Sequence, residues 1–434
     1  MSTREVTADK LAPLRTIGGM LILPGIFLFV FIGYHLSNSS PLDWYQHNKY
    51  LAEAMLHGTF DVSRTGIPDF YHDTLSEGTA KWVSFPPAPS LLLLPFVAIW
   101  GTDFSQIHFS MTLGAVDVVL FWYLLGLLNI TRTTKLLMVP FFAFGTVLFF
   151  TASTGTSWHY VHVASVFFTL IAIIFLLRHA SPVLAGVFLG LAFLSREPTI
   201  MAAPFFGYWI VRQRHGPFFS LQGIREVLRD RHTLYQFGLF CAGLIPFIAF
   251  WFWYNNYRFG GPLETGYNIL YDRYTQGGVA CGAYSFYCAQ FPSSPFLQFD
   301  PRNIPLHLYN IFLMPPKFYP DWSVFRPDPY GLSVVLTSPA FVYAFLVKRK
   351  DMLKPACWLA IGFVSIPLLL HYTQGWVQFG YRFLLDFAPF LLILTAFGFD
   401  DNPSPTSRRI QLALVAISVV AGFWGRHWAN VNGW

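Results

Sequence analysis

Nine apolar runs, near residues 17–36, 108–129, 136–152, 160–178, 235–254, 332–347, 355–371, 382–399 and 409–424, constrain this chain more than any other feature. Each approaches the roughly 20 residues that a helix needs to cross a bilayer. Lipid offers no partner for backbone N–H and C=O groups, so such runs must close their hydrogen bonds internally, as helices. With shorter or broken runs at 86–101 and 182–212, the expected fold is an all-α polytopic membrane protein of about 11–13 transmembrane helices. It is expected to form a single domain over residues 1–434, with external loops that carry short amphipathic helices. Only 12% of residues are charged, about half the share in a soluble domain.

The net charge of +6 does not point to nucleic acid, because the cations fall in short runs between apolar segments, the pattern of the positive-inside rule. Arg4, Lys10 and Arg15 precede the run Ile17 to His35. That run is too long for a signal-peptide core and has no clear small-x-small cleavage site, so it reads as a retained first helix. Arg212-Gln-Arg-His with Arg225, Arg229 and Arg231, Lys348-Arg-Lys with Lys354, and Arg408-Arg409 are expected on the cytoplasmic side. The external face then carries a first loop, 37–85, a long loop, 255–331, and the segment His371 to Arg382. One connection, Thr131-Arg-Thr-Thr-Lys135, breaks the parity. Either 86–101 is re-entrant, or 182–212 is one long broken crossing.

Several constellations could carry chemistry. Between Asp43 and Gly58, Trp44, Leu51, Ala52, Met55 and Leu56 share one helical arc, with Asp43, Gln46, His47, Tyr50, Glu53 and His57 opposite. The spacing predicts a helix lying flat on the membrane with its acid facing water. The same loop continues through Asp61, Arg64, Asp69, His72 and Asp73 to Lys81, which precedes a proline-headed apolar run and reads either as a phosphate ligand or as a snorkelling anchor. His159 and His162 would share a helix face, as a polar wall or, with less support, as metal ligands. Arg196 and Glu197 interrupt an apolar stretch, either neutralising each other or facing a cavity. Asp117 reads as glue to a neighbouring helix.

Arg258, followed by Gly-Gly, Glu264 and Tyr267, suits phosphate and sugar together, since a guanidinium pairs with phosphate oxygens in a planar fork. An aromatic belt with a snorkelling Arg is the alternative. Gln378, Tyr381 and Arg382 enter another span, with Arg382 and Asp386 at a spacing that supports a salt bridge on a helix. Cys281 and Cys288 flank Gly-Ala-Tyr-Ser-Phe-Tyr in the long loop, as a disulfide or as two free thiols.

Taken in order, these pieces resemble the bacterial members of the GT-C superfamily of integral-membrane glycosyltransferases, the group of protein O-mannosyltransferases and lipid A aminoarabinose transferases. Four segments carry the resemblance: Asp43 before Ala-Glu-Ala-Met-Leu-His-Gly, the Lys81 to Pro87 entry, Leu-Gly-Leu-Ala-Phe-Leu-Ser-Arg196, and Gln-Phe-Gly-Tyr-Arg-Phe-Leu-Leu-Asp-Phe-Ala-Pro ending at Pro389. The resemblance implies a polyprenyl-phosphate sugar as donor, a glycan, glycolipid or protein as acceptor, and a site on the external face of a bacterial cytoplasmic membrane. It implies Asp43 as general base, which His47 would assist, with Lys81, Arg258 and Arg382 as donor-phosphate ligands. Tyr50, His159, His162, Arg196, Glu264, Tyr267, Gln378 and Tyr381 complete the candidate substrate-binding set. No cofactor is demanded, and the missing paired acid leaves a divalent metal, Mg or Mn, an open alternative. A transporter or lipid flippase, and a non-catalytic assembly protein of the same shape, are the competing readings.

Overall fold

The structure is a computed structural model that describes residues 17–39, 43–216, 220–270, 298–320 and 324–434. Cys281 and Cys288 lie outside the described residues, so the expectation of a disulfide between them is not addressed. Among the described residues the chain is helical apart from two short antiparallel hairpins, Thr74–Glu77 with Ala80–Val83 and Lys317–Tyr319 with Val324–Arg326.

Long apolar runs become long helices. These are α1 (Ile17–Ser37), α4 (Gln106–Leu127), α7 (Ser157–Leu177), α11 (Arg231–Phe259), α13 (Leu353–Leu370) and α15 (Pro405–Asn432). Between them lie α2 (His47–Leu56), α3 (Ala88–Trp100), α5 (Arg132–Phe144), α6 (Val147–Thr154), α8 (Pro182–Phe193), α9 (Ala203–Arg212), α10 (Leu221–Arg229), α12 (Ile304–Phe312) and α14 (Ala388–Asp400). Among the described residues, five helices are long and apolar enough to cross a membrane, or six if α5 and α6, bent by 47°, form one span. That is about half the count expected from hydropathy. Apolarity does not encode breaks: 332–347 becomes a helical turn and a 3₁₀ segment, and 182–212 splits into α8, a 3₁₀ turn at Glu197–Ala202, and α9. The architecture is compatible with an all-α, multi-pass membrane protein, and Leu28, Phe29, Ile99, Ile245, Ile366 and Val420 face outward from it.

Gln46 to Asn48 touch both Ser90 at the start of α3 and Gln106 at the start of α4, so α3 leaves and returns on one side. Thr131 Oγ1 donates to Asp400 at 2.6 Å, and Arg349 pairs with Asp400 and Asp401. The connection at 131–135 therefore lies at the same end as Lys348 and Arg408, which donates to Thr134. We call this the basic end, and the one carrying residues 43–85 the loop end.

Helices α8 and α11 meet backbone to backbone. A Cβ on Gly186 would fall 2.1 Å from the Phe240 carbonyl oxygen, and one on Gly243 2.1 Å from that of Val183. Small residues at membrane-type crossings allow this approach. Gly243→Val should therefore lower the apparent melting temperature of the detergent-solubilised protein, since overpacking costs about 1–3 kcal/mol. Gly362→Ala, on α13 with open space around it, should not.

Candidate functional site

A buried charge cluster forms where the ends of α7 and α8 meet the segment that precedes α14. Asp386 is its centre. His162 on α7 donates Nδ1–H to Asp386 Oδ1 at 2.8 Å, and Arg196, just beyond α8, donates from Nη2 to Oδ2 at 2.9 Å and from Nε to Oδ1 at 3.2 Å. The Asp386 and His162 side chains are 0% and 1% exposed, whereas Arg196 keeps 20%. Among the described residues the Arg196 Nη1 makes no hydrogen bond and the buried His162 Nε2 has no partner. A carboxylate thus pins one edge of a guanidinium and leaves the other edge for a ligand.

This arrangement corrects two expectations. Arg382 does not pair with Asp386, because residues Arg382–Asp386 form a 3₁₀ turn rather than an α-helix. At three residues per turn, positions i and i+4 leave the common face that an α-helix would give them. Arg382 instead donates from Nη1 to the Trp376 carbonyl, and its guanidinium lies against Gly375, where φ is +98° and a Cβ would come within 2.8 Å. Arg196 and Glu197 form no salt bridge with each other among the described residues, although each feels the other's charge; Glu197 instead accepts from Trp251 Nε1 at 2.8 Å.

Around the cluster, Arg196 is within electrostatic reach of Tyr267 and Glu197, and so is Arg258. Tyr267 is within electrostatic reach of Asp73, whose carbonyl accepts from Ser84 Oγ at 3.1 Å. Arg258 is buried, stacks 3.7 Å from the Tyr254 ring centroid, and spends Nη1 on the Val83 carbonyl and Nη2 on Asn255 Oδ1. It clasps α11 to the first loop rather than presenting an open fork. Tyr381 donates to His307 Nδ1, whose Nε2–H donates to the His371 carbonyl. Burial lowers the pKa of His307 to about 4, which keeps it neutral near pH 7. His159 bonds to Thr156 and to the Val377 carbonyl, and Gln378 donates to the carbonyls of Tyr330 and Gln374. Both hold the 371–386 segment in place.

The first loop supplies a different picture from an amphipathic surface helix. Helix α2 begins at His47, not Asp43, and buries His47, Asn48 and Lys49, while Trp44 and Leu56 are exposed. The apolar arc is split: Leu51 and Ala52 are buried, Leu51 packing with Val62 and Val83, while Trp44 and Leu56 stay exposed. His47 lies between the Ser157 hydroxyl and the His72 carbonyl, and burial lowers its pKa to about 4. A neutral, enclosed imidazole is not placed to assist Asp43. Asp43 itself is exposed and accepts from Gln46 Nε2 at 2.8 Å. Its charge is felt by Lys49, Tyr50 and Tyr71. Lys81 pairs with the exposed Asp69 at 2.5 Å, and Tyr50 meets Tyr71 edge to face at 6.0 Å between ring centroids. Glu264 caps its own turn, accepting from the Gly266 N–H and Asn268.

Asp73 is the acid that local reading did not single out. It lines a cleft of about 480 Å³ with Asp69, Tyr71, His72 and Lys81, holds a φ of +62°, and accepts from Trp158 Nε1 at 2.5 Å. The signal was present as an acid in Phe-Tyr-His-Asp, but nothing local ties it to Trp158, 85 positions away. Asp117, expected to bond to a neighbouring helix, is fully buried with neither oxygen hydrogen-bonded among the described residues. Also among the described residues, no group of three or more His, Cys, Asp or Glu side chains is placed to hold a metal ion, so no step is derived through one. No protein-family model matches the chain, and comparison with curated proteins and with solved structures returned no match.

Proposed function

We propose that this chain is a GT-C-type glycosyltransferase that moves a sugar from a polyprenyl-phosphate donor to an acceptor hydroxyl at the loop end of the bundle. The observation that carries this reading is the Arg196–Asp386–His162 cluster, a cation fixed by a buried carboxylate with one edge open. The acceptor oxygen attacks the anomeric carbon as the bond from that carbon to the phosphate oxygen breaks. Negative charge grows on the departing lipid phosphate, and a preorganised cation lowers the barrier most where charge develops. Arg196 is the proposed ligand for that charge, with Tyr267 within electrostatic reach of it. The basic connections gather at the opposite end, so the positive-inside rule would turn the loop end outward from a bacterial cytoplasmic membrane.

A base must take the acceptor proton, and two acids of the first loop compete. Asp43 is the one the sequence resemblance implies. Asp73 is favoured by its electrostatic contact with Tyr267, which in turn reaches Arg196. An ordinary carboxylate has a pKa near 3.9 and is a weak base toward an alcohol, so proton transfer should come late, once bond formation has acidified the hydroxyl. In membranes supplied with a radiolabelled polyprenyl-phosphate sugar, substitution of the true base by Asn should cut transfer by about 10²–10⁴-fold. A large loss in Asp73→Asn with little change in Asp43→Asn assigns the role to Asp73, and the reverse pattern to Asp43. Activity retained in both would remove the first loop from the chemistry.

A further inference from the structure

At the basic end lies a second cavity, of about 440 Å³, bounded by the end of α9 and the start of α13. Helix α14 leads from Asp386 to Asp400, beside this cavity, and its 13 residues set the two sites about 20 Å apart. Arg212, Lys348, Arg349, Lys350 and Lys354 line it, with Asp351 as the lining acid. Asp400 and Asp401 neutralise Arg349. Lys354 is steered to the Val347 carbonyl, and Asp351 is occupied in capping Leu353 N–H. The remaining cations outnumber the lining carboxylate, and the buried Arg212 Nε has no hydrogen-bond partner among the described residues. Beside the cavity, Phe345 is 71% exposed and meets Trp358 with ring centroids 5.1 Å apart and planes tilted by 37°, while Leu346 is also exposed.

Cations without a carboxylate partner around a cavity favour an anion there, and an exposed apolar ledge next to them suits an apolar chain. A phosphate headgroup with attached acyl chains satisfies both, and basic pockets at helix ends hold such headgroups. We propose that this cavity binds the phosphate of an anionic phospholipid, with an acyl chain along Phe345 and Leu346. The proposal needs the membrane reading but not the transfer chemistry, since neither Arg196 nor Asp386 takes part.

The full chain in neutral detergent, mixed with phosphatidylglycerol or phosphatidylcholine and examined by native mass spectrometry, tests it. Retention of phosphatidylglycerol should exceed that of phosphatidylcholine by at least about fivefold, the effect of one cation near an anionic surface. The K348E/K350E variant should lose that preference, whereas Arg225→Glu on the exposed helix α10 should keep it, which separates a pocket from diffuse attraction. Equal retention of the two lipids by the wild-type chain overturns the proposal without requiring any variant to fold. Inorganic phosphate that displaces phosphatidylglycerol at equal concentration would show a free-anion site and overturn the lipid assignment.

Discussion

Asp386→Ala should lower stability by about 3–5 kcal/mol, because removing one partner of a buried ion pair leaves the others charged or unsatisfied. The His162 Nδ1–H and two Arg196 donors would lose their acceptor together. The partial exposure of Arg196 lets water take up part of its loss, so the lower half of that range is expected. Thermal unfolding in detergent reads the effect. The double variant R196L/D386L should recover part of the loss, with a coupling of about 1–3 kcal/mol for groups in direct contact. Strict additivity of the two single changes would mean that the pair does not act as a unit.

Arg196→Ala should reduce sugar transfer by about 10²–10³-fold, the effect of removing one preorganised group that stabilises developing negative charge. The loss should fall on kcat more than on KM, because the phosphate charge that Arg196 meets grows as the sugar leaves. Arg196→Lys should recover only part of the rate, since an ammonium keeps the charge but not the fork that pairs with Asp386 on one edge and ligand on the other. Assays run well below the melting temperature of each variant separate this from unfolding. A variant that melts early yet transfers sugar at the wild-type rate would leave Arg196 a structural residue only.

Much of the fold was legible because α1, α4, α7, α11, α13 and α15 each come from a single long apolar run. What was not legible are the interruptions. The break between α5 and α6 at Gly145-Thr146 and the return of α3 to its own side depend on packing between distant segments, such as Gln46 with Gln106. The site follows the same division. Arg196, His162 and Tyr267 were visible as polar residues in or beside apolar runs, yet their grouping spans 224 positions between His162 and Asp386. Local spacing suggested Arg382 as the partner of Asp386 instead, on the assumption of an α-helix that the 3₁₀ turn removes. The reading of Asp43 to Gly58 as one two-faced helix departs from the structure in its start, His47, and in the burial of His47, Asn48 and Lys49. A helical wheel gives two faces but not which of them another helix will cover, and α3 packs against α2.

The most direct test of the account is binding of sugar-free polyprenyl phosphate, the lipid released in the proposed transfer, to the purified chain. Saturable binding that weakens at least about tenfold in Arg196→Ala is the expected result, a loss of about 1.4 kcal/mol. Equal affinity for polyprenyl phosphate and for the uncharged polyprenyl alcohol, or an affinity that Arg196→Ala leaves unchanged, would contradict it.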